Sequence, residues 1–146
     1  MKTLSLTLCA FGLAAGVALA DQSGGEKLRP GMLATTSGQE IYQQICQGCH
    51  MPDGKGAIGA GRYPALAGDP ALASPDFVAL TLLTGRRNMP MFGNPVQPDA
   101  FFVPARLDDV QIAAVANFVR TGFGNRFKGT LTPAQVKALR ESLQAH

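Results

Sequence analysis

Histidine occurs only twice in the chain, at positions 50 and 146, and cysteine three times, at positions 9, 46 and 49. A tetrahedral zinc centre needs four ligands, and beyond Cys46, Cys49 and His50 the next histidine is His146 at the far end of the sequence. Zinc is therefore a weak reading of that cluster. No segment alternates apolar and polar residues long enough to build a sheet, which removes the thioredoxin-like setting in which a C-x-x-C pair works as a redox dithiol. No basic patch is interleaved with aromatics, and the formal charge is only +3, one unit of which is Lys2. So weak a field argues against nucleic acid as a partner. The longest apolar run, Leu4 to Leu19, is roughly 16 residues against the ~20 that a helical membrane span requires.

That run reads instead as an export signal. Met1-Lys2 is positive, the following stretch is free of charge, Ala18-Leu19-Ala20 has the small-x-small pattern of a cleavage site, and Asp21 begins a polar segment. Cleavage is expected after Ala20, giving an exported protein with no membrane span. Cys9 lacks the small residue that precedes a lipoprotein cysteine and is discarded with the signal. The expected organisation is a signal peptide over 1–20, a flexible leader over 21–36 and one domain over 37–146. Of the cysteines this leaves Cys46 and Cys49, a pair that an exported protein oxidises or uses in another covalent way.

Helix signals dominate the domain. Ser37 and Glu40 form an S-x-x-E capping box, with Ile41 and Ile45 four apart on one face, so a helix is expected from Gly38 to about Cys49. Residues 53–70 carry five glycines and two prolines and form an irregular loop. Ser74-Pro75-Asp76 starts a second helix that ends at Gly85, with Phe77, Leu80 and Thr84 on one face and Val78 and Leu82 widening the arc. Pro90 keeps Met89 out of helical geometry and makes 85–92 an extended loop. Asp108 and Gln111 open a third helix with Ile112, Val115, Ala116 and Val119 inside, closed by Gly122. Thr132-Pro133 opens a fourth, with Val136, Leu139 and Leu143 as its inner stripe. The fold class is all-α.

Cys46-Gln47-Gly48-Cys49-His50 closes the first helix as C-x-x-C-H. Two thiols separated by two residues reach the two vinyl groups on one edge of a haem and add to them as thioethers, while the adjacent His50 brings Nε2 under the iron. Gly48 leaves room for the macrocycle beside the backbone. One covalent haem c is thus the expected cofactor. For the other axial position, His146 sits at the end of a helix, Met51 is next to His50 and cannot reach the opposite face, and Met32 lies in the leader. Met89 and Met91 remain, on a proline-held loop about 40 residues downstream, a separation long enough to cross to the distal side. Met89 is preferred because Pro90 fixes the loop behind it, and Met91 is the second choice. Either methionine could also be a core filler.

The helix before C-x-x-C-H, Tyr63-Pro64-Ala65-Leu66-Ala67-Gly68, Asn88-Met89-Pro90-Met91-Phe92 and the segment from Leu107 to Asn125 together resemble a class I cytochrome c over roughly 37–125, with the fourth helix as an addition. The last segment is similar to the cytochrome subunits that serve periplasmic dehydrogenases. The resemblance implies that the Pro64 carbonyl accepts a hydrogen bond from His50 Nδ1–H and that Leu66 packs on the haem. It also implies that Gly38 and Tyr42 cross the last core helix at Val115 and Phe118. Arg86 and Arg87 would pair with haem propionates or an acidic partner. A segment from 94 to 106, longer than the family's turn, carries Phe101, Phe102 and Val103, which would cover the haem edge or form an apolar docking spot.

Iron held by His50 and a methionine leaves no position for a substrate. The expected function is therefore periplasmic electron transfer and not catalysis: a dehydrogenase as donor, an oxidase or another cytochrome as acceptor, and no small-molecule substrate. A fixed cytochrome subunit of one dehydrogenase complex is the alternative. A peroxidase or gas sensor would need an open distal site with acid-base residues, and the chain offers no distal histidine.

Overall fold

The computed structural model describes residues 33–59, 61–93 and 105–145. The helical segment that opens it is not uniform. It runs as α1 (Gly38–Ile41), a π-helical stretch (Tyr42–Cys46) and α2 (Gln47–His50), with Ser37 Oγ accepting from Glu40 N at 3.4 Å to start it. In the π-helical stretch Gln47 N–H reaches back to Tyr42 C=O, the wider turn often found inside helices at functional sites. Periodicity of apolar residues does not reveal such a change of register.

The glycine-rich loop is less irregular than its composition suggests. Ala57–Ile58 (β1) pairs antiparallel with Arg62–Tyr63 (β2) in a two-residue ladder, too short to leave an alternating pattern. A 3₁₀ turn over Pro70–Ala73 follows, then α3 (Pro75–Thr84), α4 (Asp109–Thr121) and α5 (Pro133–Gln144). Their starts lie where the caps put them. Ser74 Oγ accepts from Phe77 N at 3.2 Å, and complete capping boxes join Asp108 to Gln111 and Thr132 to Gln135.

The core is built around α4. Ile112, Val115, Ala116 and Val119 are all buried, together with Ile41 and Tyr42 from the first helical segment, Val78, Ala79, Leu82 and Leu83 from α3, and Val136 from α5. Gly38 makes the α1–α4 crossing possible, because a Cβ there would collide with the Ala114 carbonyl and lie 2.9 Å from Phe118 Cβ. The backbone neighbour is Ala114, one residue before the Val115 expected from the resemblance. Tyr42, Phe118 and Phe123 close the crossing as an aromatic trio with centroid separations of 4.8–5.5 Å, distances at which tilted and edge-to-face contacts are favourable.

Two expected stripes shift. On α3 the deepest residues are Val78, Ala79, Leu82 and Leu83, whereas Phe77 and Leu80 are half-buried and Thr84 is exposed; the arc is rotated by about one residue toward α4. On α5 Leu143 is 44% exposed. The inward role one turn earlier passes to Arg140, whose Nε donates to Asp109 Oδ1 at 2.8 Å and whose other nitrogens reach the Gly93 and Leu107 carbonyls. This fixes both ends of the segment that contains Phe101, Phe102 and Val103, residues that lie outside the described ones. At the other end, Gln111 Nε2 donates to the carbonyls of Leu33 and Thr35 at 2.8 and 2.9 Å, so the last residues of the stretch read as a leader are tied to α4.

Candidate functional site

α2 ends at His50, and the chain leaves the helix abruptly. Met51 has φ 66° and ψ 156°, a left-handed backbone that costs a non-glycine residue about 1–3 kcal/mol and persists only where the surroundings impose it. The restraint is visible: Tyr42 Oη donates to the Met51 carbonyl at 2.6 Å. Burial, and then the charges of Cys46 and Asp53, push the Tyr42 phenol up to about 12, so it stays a donor through the neutral range.

The imidazole of His50 is 8% exposed. Its Nδ1 lies 2.9 Å from the Pro64 carbonyl oxygen. A carbonyl can only accept, so Nδ1 carries a proton, and in the neutral ring Nε2 is then the nitrogen with the lone pair. A neutral histidine in this tautomer, oriented through the other nitrogen, is how proteins prepare an imidazole for a metal. The loop that brings Pro64 to this point folds back on itself: Gly56 N donates to the His50 carbonyl at 3.0 Å, and Leu66 N and Ala67 N both donate to the Gly54 carbonyl at 2.7 and 2.9 Å. Gly54 has φ +68°, and a Cβ there would lie 2.6 Å from the Phe123 ring, so only glycine fits at this hub.

The two thiols one and four residues before His50 are free and unequal: Cys46 is half-buried and Cys49 exposed. Burial, reinforced by the neighbouring Cys49, pushes the Cys46 thiol up to about 12. A redox dithiol shows the opposite behaviour, with the thiolate stabilised at the positive start of a helix. Here the pair sits toward the C-terminal end of the helical segment 38–50, where the dipole disfavours an anion.

The methionine loop is a tight turn. Arg86 N donates to the Met89 carbonyl at 3.1 Å and Met89 N to the Arg86 carbonyl at 3.0 Å, with Arg87 at φ 54° at the corner. Met89 is half-buried and packs against the core, as do Ile45, Cys46, Leu66 and Phe77. Met91 faces elsewhere. It is 38% exposed and lines a cavity of about 280 Å³ with Leu83, Arg140 and Leu143. Arg86 is exposed, with its guanidinium 5.7 Å from the centroid of the Phe77 ring, and Arg87 is exposed beside it.

A second cavity, of about 690 Å³, opens beside Pro64, with Ala57, Ile58 and Tyr63 as apolar lining and Lys55 and Arg62 among the polar groups. Its size lies within the ~300–1,000 Å³ typical of ligand and cofactor sites. Ile58 presents most of its side chain, 87%, to this side of the molecule. Cys46, Cys49, His50 and Met89 do not line it; Pro64 is the link between the cavity and His50.

Residues 33–119 match the family described as cytochrome c oxidase, cbb3-type, subunit III. Over 143 residues the chain is 34% identical to cytochrome c-552 of Thermus thermophilus, covering 92% of this chain and 85% of that one. This chain belongs to the cytochrome c family. It is also 34% identical over 125 residues to the cytochrome c subunit of alcohol dehydrogenase (quinone) from Gluconacetobacter polyoxogenes, covering 84% of this chain. With the gluconate 2-dehydrogenase cytochrome c subunit from Pantoea cypripedii it shares 38% over 119 residues, covering 75% of this chain. The cytochrome spans about a quarter, 26%, of the length of each of these two subunits.

A cytochrome c carries covalent haem c and transfers electrons, and this one has a single C-x-x-C-H sequence to hold it. The residues present fit that group: two free thiols with two residues between them, a buried imidazole with Nδ1 tied and Nε2 available, and an apolar shell that includes a methionine. Among the described residues no helix is long and apolar enough to cross a membrane.

Three residues of this cytochrome carry more than their sequence positions suggest. Tyr42 was legible as a packing aromatic but not as the donor that holds Met51. Arg120 and Asn125 belong to no motif, although an arginine four residues after Ala116, in the apolar stripe of α4, is a usable signal of a buried charge. Arg120 is fully buried, and Asn125 is 6% exposed.

Proposed function

We propose that Cys46 and Cys49 hold the haem through thioethers, that His50 binds the iron through Nε2 and Met89 through its sulfur, and that the protein is a periplasmic one-electron carrier. The observation that carries this reading is the 2.9 Å contact between His50 Nδ1 and the Pro64 carbonyl, which leaves the other nitrogen as a directed ligand one residue from a free thiol. The bound haem supplies a one-electron iron couple, and a methionine ligand favours the ferrous state.

The chain's own residues do the rest. Pro64 orients His50 and raises its basicity. Tyr42 fixes the backbone just after it. The half-buried Cys46 and exposed Cys49 put one attachment point inside the molecule and one at its surface, which supports electron exchange across an accessible edge while the ligands stay still. Met89 is supported over Met91 by its packing against the core. Leu66, packed against the same core, supports a wall for the haem, and Arg86 is an exposed cation suited to an acidic partner. With both axial positions filled by protein there is no place for a small-molecule substrate, and the cytochrome is not itself an enzyme.

The donor in this reading is a periplasmic dehydrogenase, a reading supported by the dehydrogenase cytochrome subunits among the relatives, and the acceptor is an oxidase or another cytochrome. Export through the segment 1–20, with cleavage after Ala20, places both partners in the same compartment. The test is carbon monoxide added to the reduced protein at neutral pH without denaturant. A six-coordinate carrier keeps its spectrum unchanged; a shift to the spectrum of a carbon monoxide complex would show an open position and favour a sensor or peroxidase.

A further inference from the structure

Pro64 has no N–H with which to anchor itself, and its carbonyl is occupied by His50. Its position is therefore set by its neighbours. Upstream, Tyr63 is paired with Ala57 in the small ladder. Downstream, the Leu66 and Ala67 amides rest on the Gly54 carbonyl, and the side-chain tether is the carboxamide of Asn125, which comes from just beyond α4. Asn125 Nδ2 donates to the Leu66 carbonyl at 2.9 Å and to the Val119 carbonyl at 2.8 Å, while its Oδ1 accepts from Gly68 N at 2.8 Å. Both donor hydrogens and the acceptor are thus used, and the residue is itself held by its backbone N–H on the Gly122 carbonyl at 2.8 Å.

We infer that Asn125 is a positioning residue for the axial histidine: by clamping Leu66 and Gly68 to the end of α4 it holds the Pro64 carbonyl against His50 Nδ1–H. This rests on the reading of His50 as an iron ligand. The hydrogen bond to Nδ1 makes the imidazole a stronger electron donor and so favours ferric iron. Loosening the clamp lets the Pro64 carbonyl drift, weakens the donation and shifts the reduction potential upward. A purely structural residue would change the melting temperature without that shift.

The test uses the full-length holoprotein in four forms: wild type, Asn125→Ala, Asn125→Asp and Val136→Ala. The Ala variant removes all three contacts. The Asp variant preserves the shape and the acceptor for Gly68 N but sets a carboxylate against the carbonyls of Leu66 and Val119, and it serves if the Ala variant does not fold. Val136, buried on α5, is the control for simple destabilisation. Reduction potential and the NMR signal of the His50 Nδ1 proton are read for each. The expected result is a higher potential in Asn125→Ala and a displaced, faster-exchanging Nδ1 proton in both Asn125 variants, the added carboxylate of Asn125→Asp opposing the rise in potential there, with Val136→Ala lowering the melting temperature alone. Wild-type values for both quantities in the Asn125 variants, or equal shifts in the Val136 variant, would overturn the positioning role. Absence of iron-induced shifts on the His50 ring in the wild-type ferric protein would overturn the ligand reading beneath it as well.

Discussion

Met89→Ala is expected to keep its covalent haem yet lose the red charge-transfer band of methionine on ferric iron, whereas Met91→Ala retains the band. The two methionines are separated by one proline but lie in different surroundings. Met89 closes the 86–89 turn and packs against the core; Met91 leans toward α5 beside Leu83 and Leu143. With Met89 as the proposed ligand, removing its thioether takes away the group that favours ferrous iron, so the potential should fall and the reduced variant should gain carbon monoxide binding. Met91→Ala leaves spectrum and potential in place and costs roughly 0.5–1 kcal/mol of stability, since its side chain is already 38% exposed. Visible spectra of the oxidised proteins decide the matter: if only Met91→Ala abolishes the band, the assignment of the axial methionine is wrong.

Arg120→Met is expected to cost the holoprotein about 1–3 kcal/mol of stability. The guanidinium is fully buried, and among the described residues no carboxylate forms an ion pair with it. Its partners are carbonyls: Nε on Leu72, Nη1 on Gly129, and Nη2 on Ala73 and Lys128. The side chain therefore ties α4 to the 3₁₀ turn before α3 and to the segment that leads into α5. Methionine would restore much of the packing but leave the carbonyl of the buried Leu72 without its donor, at about 1–3 kcal/mol, while the carbonyls of the exposed Ala73, Lys128 and Gly129 turn to water. That is a large share of the 5–15 kcal/mol that holds a typical domain together. Arg120→Lys keeps the charge but offers a point donor where a planar fork is used, and it should lose roughly half as much. Urea unfolding of both variants, with the haem attached, measures the difference; a loss below about 1 kcal/mol for Arg120→Met would show that water or local collapse replaces the cage.

What could be read from the sequence and what could not divide along the range of the interactions. The starts of α3, α4 and α5 were legible because Ser74, Asp108 and Thr132 cap the helices with atoms only two or three residues away. The inner face of α4 was legible because four apolar residues repeat at helical spacing. The π-helical turn before Cys46 was not, since a continuous helix with the same side chains can take either hydrogen-bond register. Nor was the hairpin at 57–63, whose strands are two residues each. Leu143 was placed inside because its spacing continues the stripe, but spacing carries no information about where a helix runs past the body it packs on. In the site, C-x-x-C-H and the two methionines stood out by chemistry, and the resemblance supplied Pro64 and Leu66. The supports behind them did not stand out. Tyr42 on Met51, Arg120 on Leu72 and Asn125 on Leu66 join side chains to backbone carbonyls 9, 48 and 59 residues away, and no local pattern marks such a pairing.

Covalent attachment at Cys46 and Cys49 underlies every role proposed for the other residues, and intact mass under denaturing conditions measures it directly. Protein produced in a host with working cytochrome maturation should retain its colour through denaturation and show the mass of the polypeptide from Asp21 plus one haem, while Cys46→Ser with Cys49→Ser should show the polypeptide alone. A colourless wild-type protein at the mass of the bare chain would contradict it.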